Sequence, residues 1–101
     1  MEIEVQKHDG SREKLDAEGL AARVRAGGLV FEIMDRSGDV KKIWDPTKEV
    51  EVEDARMSFD NLTKKGYRAF RTDAAGKEGE LMKTFDPEAG RVVFVPQMQG
   101  G

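Results

Sequence analysis

Cysteine is absent from the 101 residues of this chain. Disulfides, thiolate metal sites and cysteine nucleophiles are excluded together, and no side chain can carry a thioester. Histidine occurs once, as His8 beside a turn. A surface role suits it better than general base or metal ligand. No apolar run approaches the roughly 18 residues that a membrane span needs. Met1-Glu2-Ile3-Glu4 is acidic and lacks the apolar core of an export signal, so a cytoplasmic location without membrane contact is expected. Neither sign of charge dominates, since 17 Lys and Arg stand against 20 Asp and Glu. That balance argues against nucleic acid as a partner.

What is present fits one domain with a single core, built as an α+β fold. Ile3 and Val5 alternate in a short first strand over residues 1–7, and His8-Asp9-Gly10-Ser11 is a turn cluster. Leu15, Leu20, Ala21 and Val24 recur near helical spacing, which predicts a short helix over residues 16–26 stopped by Gly27-Gly28. Leu29, Phe31 and Ile33 share one face of a strand, Asp35-Arg36-Ser37-Gly38 can turn the chain, and residues 40–44 return it as a hairpin. A helix follows with Val52, Ala55, Phe59 and Leu62 on one stripe, closed by Lys64-Lys65 and Gly66. It is secure from Glu53. Asp45-Pro46 could start it earlier, or Val50 and Val52 could instead prolong the strand. Residues 67–72 read as a strand, 73–79 as a polar loop, 80–85 as a short strand or turn, and 91–95 as the last strand.

From Leu29 onward the order is strand, strand, helix, strand, strand, strand. One sheet face buried under one helix is a stable two-layer solution, and the β-grasp is its natural candidate. The last strand would then lie beside the first in mid-sheet, which suits the apolar run Val92-Val93-Phe94-Val95. Residues 1–28 become an N-terminal strand and helix packed on a core of residues 29–96, and residues 97–101 a flexible tail. Lys42-Ile43-Trp44-Asp45-Pro46 and Lys83-Thr84-Phe85-Asp86-Pro87 also resemble each other, as if one strand-exit device were used twice.

A conventional active site is hard to assemble. Glu49, Glu51, Glu53 and Asp54 read as a solvated first turn of a helix favoured by its dipole, not as a paired acid and base. Gly76-Lys77-Glu78-Gly79 lacks the spacing of a phosphate loop. Lys64, Lys65, Arg68 and Arg71, with Tyr67 and Phe70 between them, form a weak nucleic-acid signal that surface solubility explains as well.

The end of the sequence is more specific. A strand stopped by Pro96, which cannot extend a ladder through itself, runs into Gln97-Met98-Gln99 and then Gly100-Gly101. A terminal glycine carboxylate is sterically bare, although glycines at a frayed chain end are the plainer reading. Val93-Phe94-Val95-Pro96-Gln97-Met98-Gln99-Gly100-Gly101 resembles the closing segment of the β-grasp sulfur carriers, of the molybdopterin-synthase small subunit and thiamine carrier type, and of ubiquitin-like modifiers.

That resemblance implies a non-enzymatic, monomeric protein without a cofactor. An adenylating enzyme would activate its Gly101 carboxylate for thiocarboxylate formation or transfer to an amine. Gly100 would keep the channel clear, and Pro96, Gln97, Met98 and Gln99 would span the distance to the partner. Docking would use an apolar sheet patch, for which Leu29, Val30, Val93 and Val95 are candidates, although each also suits the core. The alternative is a binding or assembly module of a phage or mobile element, with a passive tail, since small β-grasp-like domains also resemble segments of phage tail-assembly proteins.

Overall fold

The computed structural model describes residues 2–35, 38–77 and 79–96. Its elements in chain order are β1 (Glu2–Lys7), β2 (Arg12–Asp16), α1 (Ala17–Arg25), β3 (Leu29–Asp35) and β4 (Gly38–Trp44), then α2 (Glu49–Lys64), β5 (Tyr67–Thr72), β6 (Glu80–Met82) and β7 (Arg91–Pro96). The strands form a mixed sheet in the order β2-β1-β4-β3-β7-β5-β6. Within it, β3 and β4 make the expected antiparallel hairpin, and β7 inserts parallel to β3 and antiparallel to β5. This is the β-grasp-like arrangement on one main helix, α2, with an N-terminal extension.

Alternation explains how α2 is held. Leu29 and Phe31 of β3, Trp44 of β4, Ala69 of β5, and Val92 and Phe94 of β7 point to one side of the sheet, where Ala55 and Phe59 of α2 close over them. Phe31 lies at the centre, fully buried, with the Trp44 ring 4.6 Å away edge-on and the Phe94 ring 4.8 Å away. Burying each such ring contributes about 1.5–3 kcal/mol, and favourable ring contacts add to it. The other side of the sheet carries a second cluster, in which Val5, Val30 and Ile43 meet Leu20 of α1. The two helices therefore sit on opposite faces, α2 over β3, β7 and β5, and α1 over the β1–β4 end.

The extension differs from its expected form. A strand, β2, pairs antiparallel with β1, so Leu15 belongs to a hairpin rather than to the helix. Leu15 is the strand's one apolar residue. Glu13, on the same face, is matched to Lys7 and Arg23 by charge, so hydrophobic alternation never marks the segment. The helix begins at Ala17, with the Asp16 carboxylate accepting from the Gly19 N–H at 2.7 Å. It ends as expected at Gly27, whose φ of 100° is open to glycine, and a side chain at Gly28 would strike the Arg23 carbonyl.

Helix α2 starts at Glu49, before the secure limit set by the sequence pattern, with Lys48 as an N-cap that makes no side-chain bond. Asp45 does not cap it. Its carboxylate instead accepts from Thr47 N–H at 3.0 Å and Thr47 Oγ1 at 2.6 Å, closing a turn at Pro46. That turn ends the strand, so the alternation of Val50 and Val52 has no ladder to join. Asp86 repeats the device by accepting the Glu88 N–H at 2.9 Å around Pro87. The two similar segments thus share their turn chemistry.

Candidate functional site

The expected reactive residues Gly100 and Gly101, and the tail residues Gln97, Met98 and Gln99, lie outside the described residues. Pro96 is described. It closes β7 opposite Tyr67, exposed, at the end of a strand that has neighbours on both sides. Val95, beside it on β7, points to the sheet face that α1 leaves open.

That open face has a defined composition. On β7, β5 and β6 the residues opposite the α2 side include Val93 and Val95, Phe70, and Leu81. Met34 of β3 flanks them. Val93 and Phe70 are half-buried, whereas Met34, Leu81 and Val95 are 40%, 49% and 37% exposed. Neighbouring apolar side chains on a pleated surface make a contiguous patch, and such patches commonly mark contact sites. Arg68 is the exposed cation at its β5 end.

Two of the four apolar docking candidates are therefore excluded. Leu29 and Val30 are fully buried, the first under α2 and the second under α1, while Val93 and Val95 remain on the open face. Met34, Phe70 and Leu81 of this face are not among the docking candidates that the sequence offers. Phe70 shares its face of β5 with Arg68 and alternates with Ala69 and Arg71, a pattern that shows a two-sided strand but not which side stays uncovered.

An ionic group separates this patch from the cluster under α1. Arg91 Nη2 donates to Glu32 Oε2 at 2.7 Å, and Lys41 Nζ lies 3.7 Å from Glu32 Oε1, all three largely buried. The Ala74 carbonyl accepts a further bond from Arg91 at 3.0 Å. Charges removed from water hold their place only with such partners, and these fix the register of β3, β4 and β7 where no helix covers them.

The cations of the nucleic-acid signal do not share one surface. Arg71 sits on the α2 side, 3.5 Å from Asp86, while Arg68 points to the opposite face and Tyr67 packs against the core.

At the far end of the sheet from Pro96, Glu49, Glu53 and Asp54 are exposed as expected of a solvated first turn, whereas Glu51 is not. Glu51 is 7% exposed and accepts the Asp45 N–H at 2.9 Å, with His8 Nδ1 at 3.4 Å. Asp54 accepts the Trp44 indole N–H at 2.8 Å. Both acids brace the β4–α2 connection, and His8 joins the β1–β2 turn to it rather than standing alone on the surface. Glu13 is held below the usual carboxylate range by the bond from Arg23, with Lys7 adding to it. Asp45 and Asp9 are lowered by hydroxyl and backbone bonds from Thr47 and Ser11, respectively. Among the described residues, no group of three His, Asp or Glu could hold a metal ion, and no helix is long and apolar enough to cross a membrane.

No family model, curated protein or solved structure matches this chain. The functional reading therefore rests on fold, surface chemistry and the sequence of the tail.

Proposed function

We propose that the chain is a ubiquitin-like modifier or sulfur carrier, with Gly101 as the residue activated by a partner adenylating enzyme. The observation that carries this reading is the path of β7. It runs mid-sheet, parallel to β3, and ends at Pro96 beside the open patch of Val93, Val95, Phe70 and Leu81, so one partner could grip the sheet and receive the segment beyond Pro96 together. Ordering that segment on a partner costs about 1–2 kcal/mol per residue in backbone entropy, which the patch would offset by burying apolar area.

In the proposed reaction a Gly101 carboxylate oxygen attacks the α-phosphorus of ATP and pyrophosphate leaves. A sulfur or amine nucleophile then displaces AMP from the acyl adenylate. Gly100 and Gly101 keep the carbonyl accessible, and Gln97, Met98 and Gln99 bridge to the body. The reading requires Gly101 to bear a free carboxylate in the working protein.

Intact-mass measurement of the protein and of a Gly101 deletion, each incubated with ATP and lysate of the host, tests both points. The full protein is expected to gain the mass of an adenylate, thiocarboxylate or conjugate, and the deletion is not. Equal behaviour of the two rejects the proposal. A second reading, a non-catalytic binding or assembly module, draws on the same apolar patch, which needs no reactive tail to dock. It would be favoured if the deletion still co-purified with the partner while neither protein gained mass.

A further inference from the structure

The two Asp-Pro turns define a feature that the carrier reading leaves unused. They lie at the end of the sheet remote from Pro96 and form two walls of an open groove. One part, a cavity of about 540 Å³, lies between Pro46 and the first turns of α2, lined by Val50 and Val52. The other, about 830 Å³, extends from Pro46 and Val52 to Pro87 and Val24. Pro46, Thr47 and Val52 line both, so the two parts are continuous.

Its floor is apolar and its rim acidic. Val50 is 74% exposed, more than any other large hydrophobic residue among those described. Glu49 and Glu53 edge the α2 side, and Asp86 and Glu88 the opposite side. Arg56 is the basic residue of the lining, and it is already engaged, 3.6 Å from Glu53 with its guanidinium over the Phe85 ring. Asp86 is matched by Arg71 from outside the groove. Glu49 and Glu88 make no ion pair among the described residues. An apolar floor between unmatched carboxylates repels anionic ligands and selects for cations joined by apolar side chains.

We propose that this groove is a second docking surface, for a basic segment of a partner protein that carries apolar side chains between its lysines or arginines. The groove lies at the opposite end of the sheet from the apolar patch of Val93 and Val95.

The test is a titration of the 15N-labelled full chain at low salt with the synthetic peptide Lys-Leu-Lys-Leu-Lys. Glu-Leu-Glu-Leu-Glu and Lys-Ser-Lys-Ser-Lys serve as controls. Saturable shifts are expected at the amides of Val50, Val52, Glu53 and Gly90 with the first peptide, weaker ones with the serine control and none with the acidic control. Glu49→Gln combined with Glu88→Gln should weaken binding about fivefold or more, and added salt should weaken it similarly, because rim charges act through screened attraction. Val50→Ser should weaken it about threefold through lost apolar contact. All these side chains are exposed, and each variant's amide spectrum verifies its fold. Any of three results overturns the proposal: no binding at millimolar peptide, shifts centred on Val93, Val95 and Leu81, or parent affinity in the double-glutamine variant.

Discussion

Two regions of the sheet lack a helix above them, and they are built in opposite ways. On the α2 side, β1 and β2 extend past the helix and carry Glu2, Glu4, Gln6, Arg12 and Lys14, with Arg12 Nη1 donating to Glu4 Oε1 at 2.7 Å. On the α1 side, β7, β5 and β6 extend past the other helix and carry Val93, Val95, Phe70 and Leu81. The first region meets water with charge, which also guards the exposed edge strand β2. The second leaves apolar area in water. Both regions lack cover for the same geometric reason, so the difference lies in sequence, and the apolar region is the one on which the proposed partner docking rests.

The largest effect comes from removing the support that both regions share. Phe31→Ala empties the centre of the core beneath the sheet, and a loss of about 3–5 kcal/mol is expected in urea unfolding. A loss below about 1 kcal/mol would mean that Phe31 is not the keystone of the cluster around Trp44, Phe59 and Phe94.

The contrast itself can be inverted with little cost to the fold. Leu81→Lys with Val95→Glu should change stability by within about 0.5 kcal/mol per site, because both side chains are already in contact with water. Glu4→Leu with Arg12→Leu should be similarly mild for folding, yet raise self-association in sedimentation velocity relative to the parent. If the leucine pair sediments as the parent does, the charged region is not protective and the comparison fails.

The smallest effect concerns pH. Glu13, lowered chiefly by the Arg23 bond, contributes stability that is present above the ordinary carboxylate value of 4.5 and is lost as pH falls through its lowered folded value. Melting temperature should therefore decline below about pH 4.5. Glu13→Gln should make that decline shallower, and a decline equally steep in the variant would remove Glu13 from the acid response.

Several of these features were legible before any coordinates. The face shared by Leu29, Phe31 and Ile33, the stripe of Val52, Ala55, Phe59 and Leu62, and the stop at Gly66 each follow from a short-range period or a backbone preference, and each is observed except at Val52, which lines the groove at the start of α2 instead of entering the core. Strand β2 was not legible, because pairing to β1 and the ion pairs of Glu13 hold it in place of apolar alternation. Glu51 resembled its solvated neighbours Glu49 and Glu53. Its burial depends on the Asp45 N–H and His8, six and forty-three residues earlier in the chain.

The sequence by itself determined which residues alternate, where the helices stop, and that a central apolar strand runs up to Pro96. It could not determine which apolar residues would be covered. Val30 and Val93 both point away from α2, and local pattern treats them alike, yet Val30 is sealed under α1 and Val93 borders the open patch. Only the docking position of α1, set by contacts between residues distant in the chain, separates a core valine from one on the uncovered face of the sheet.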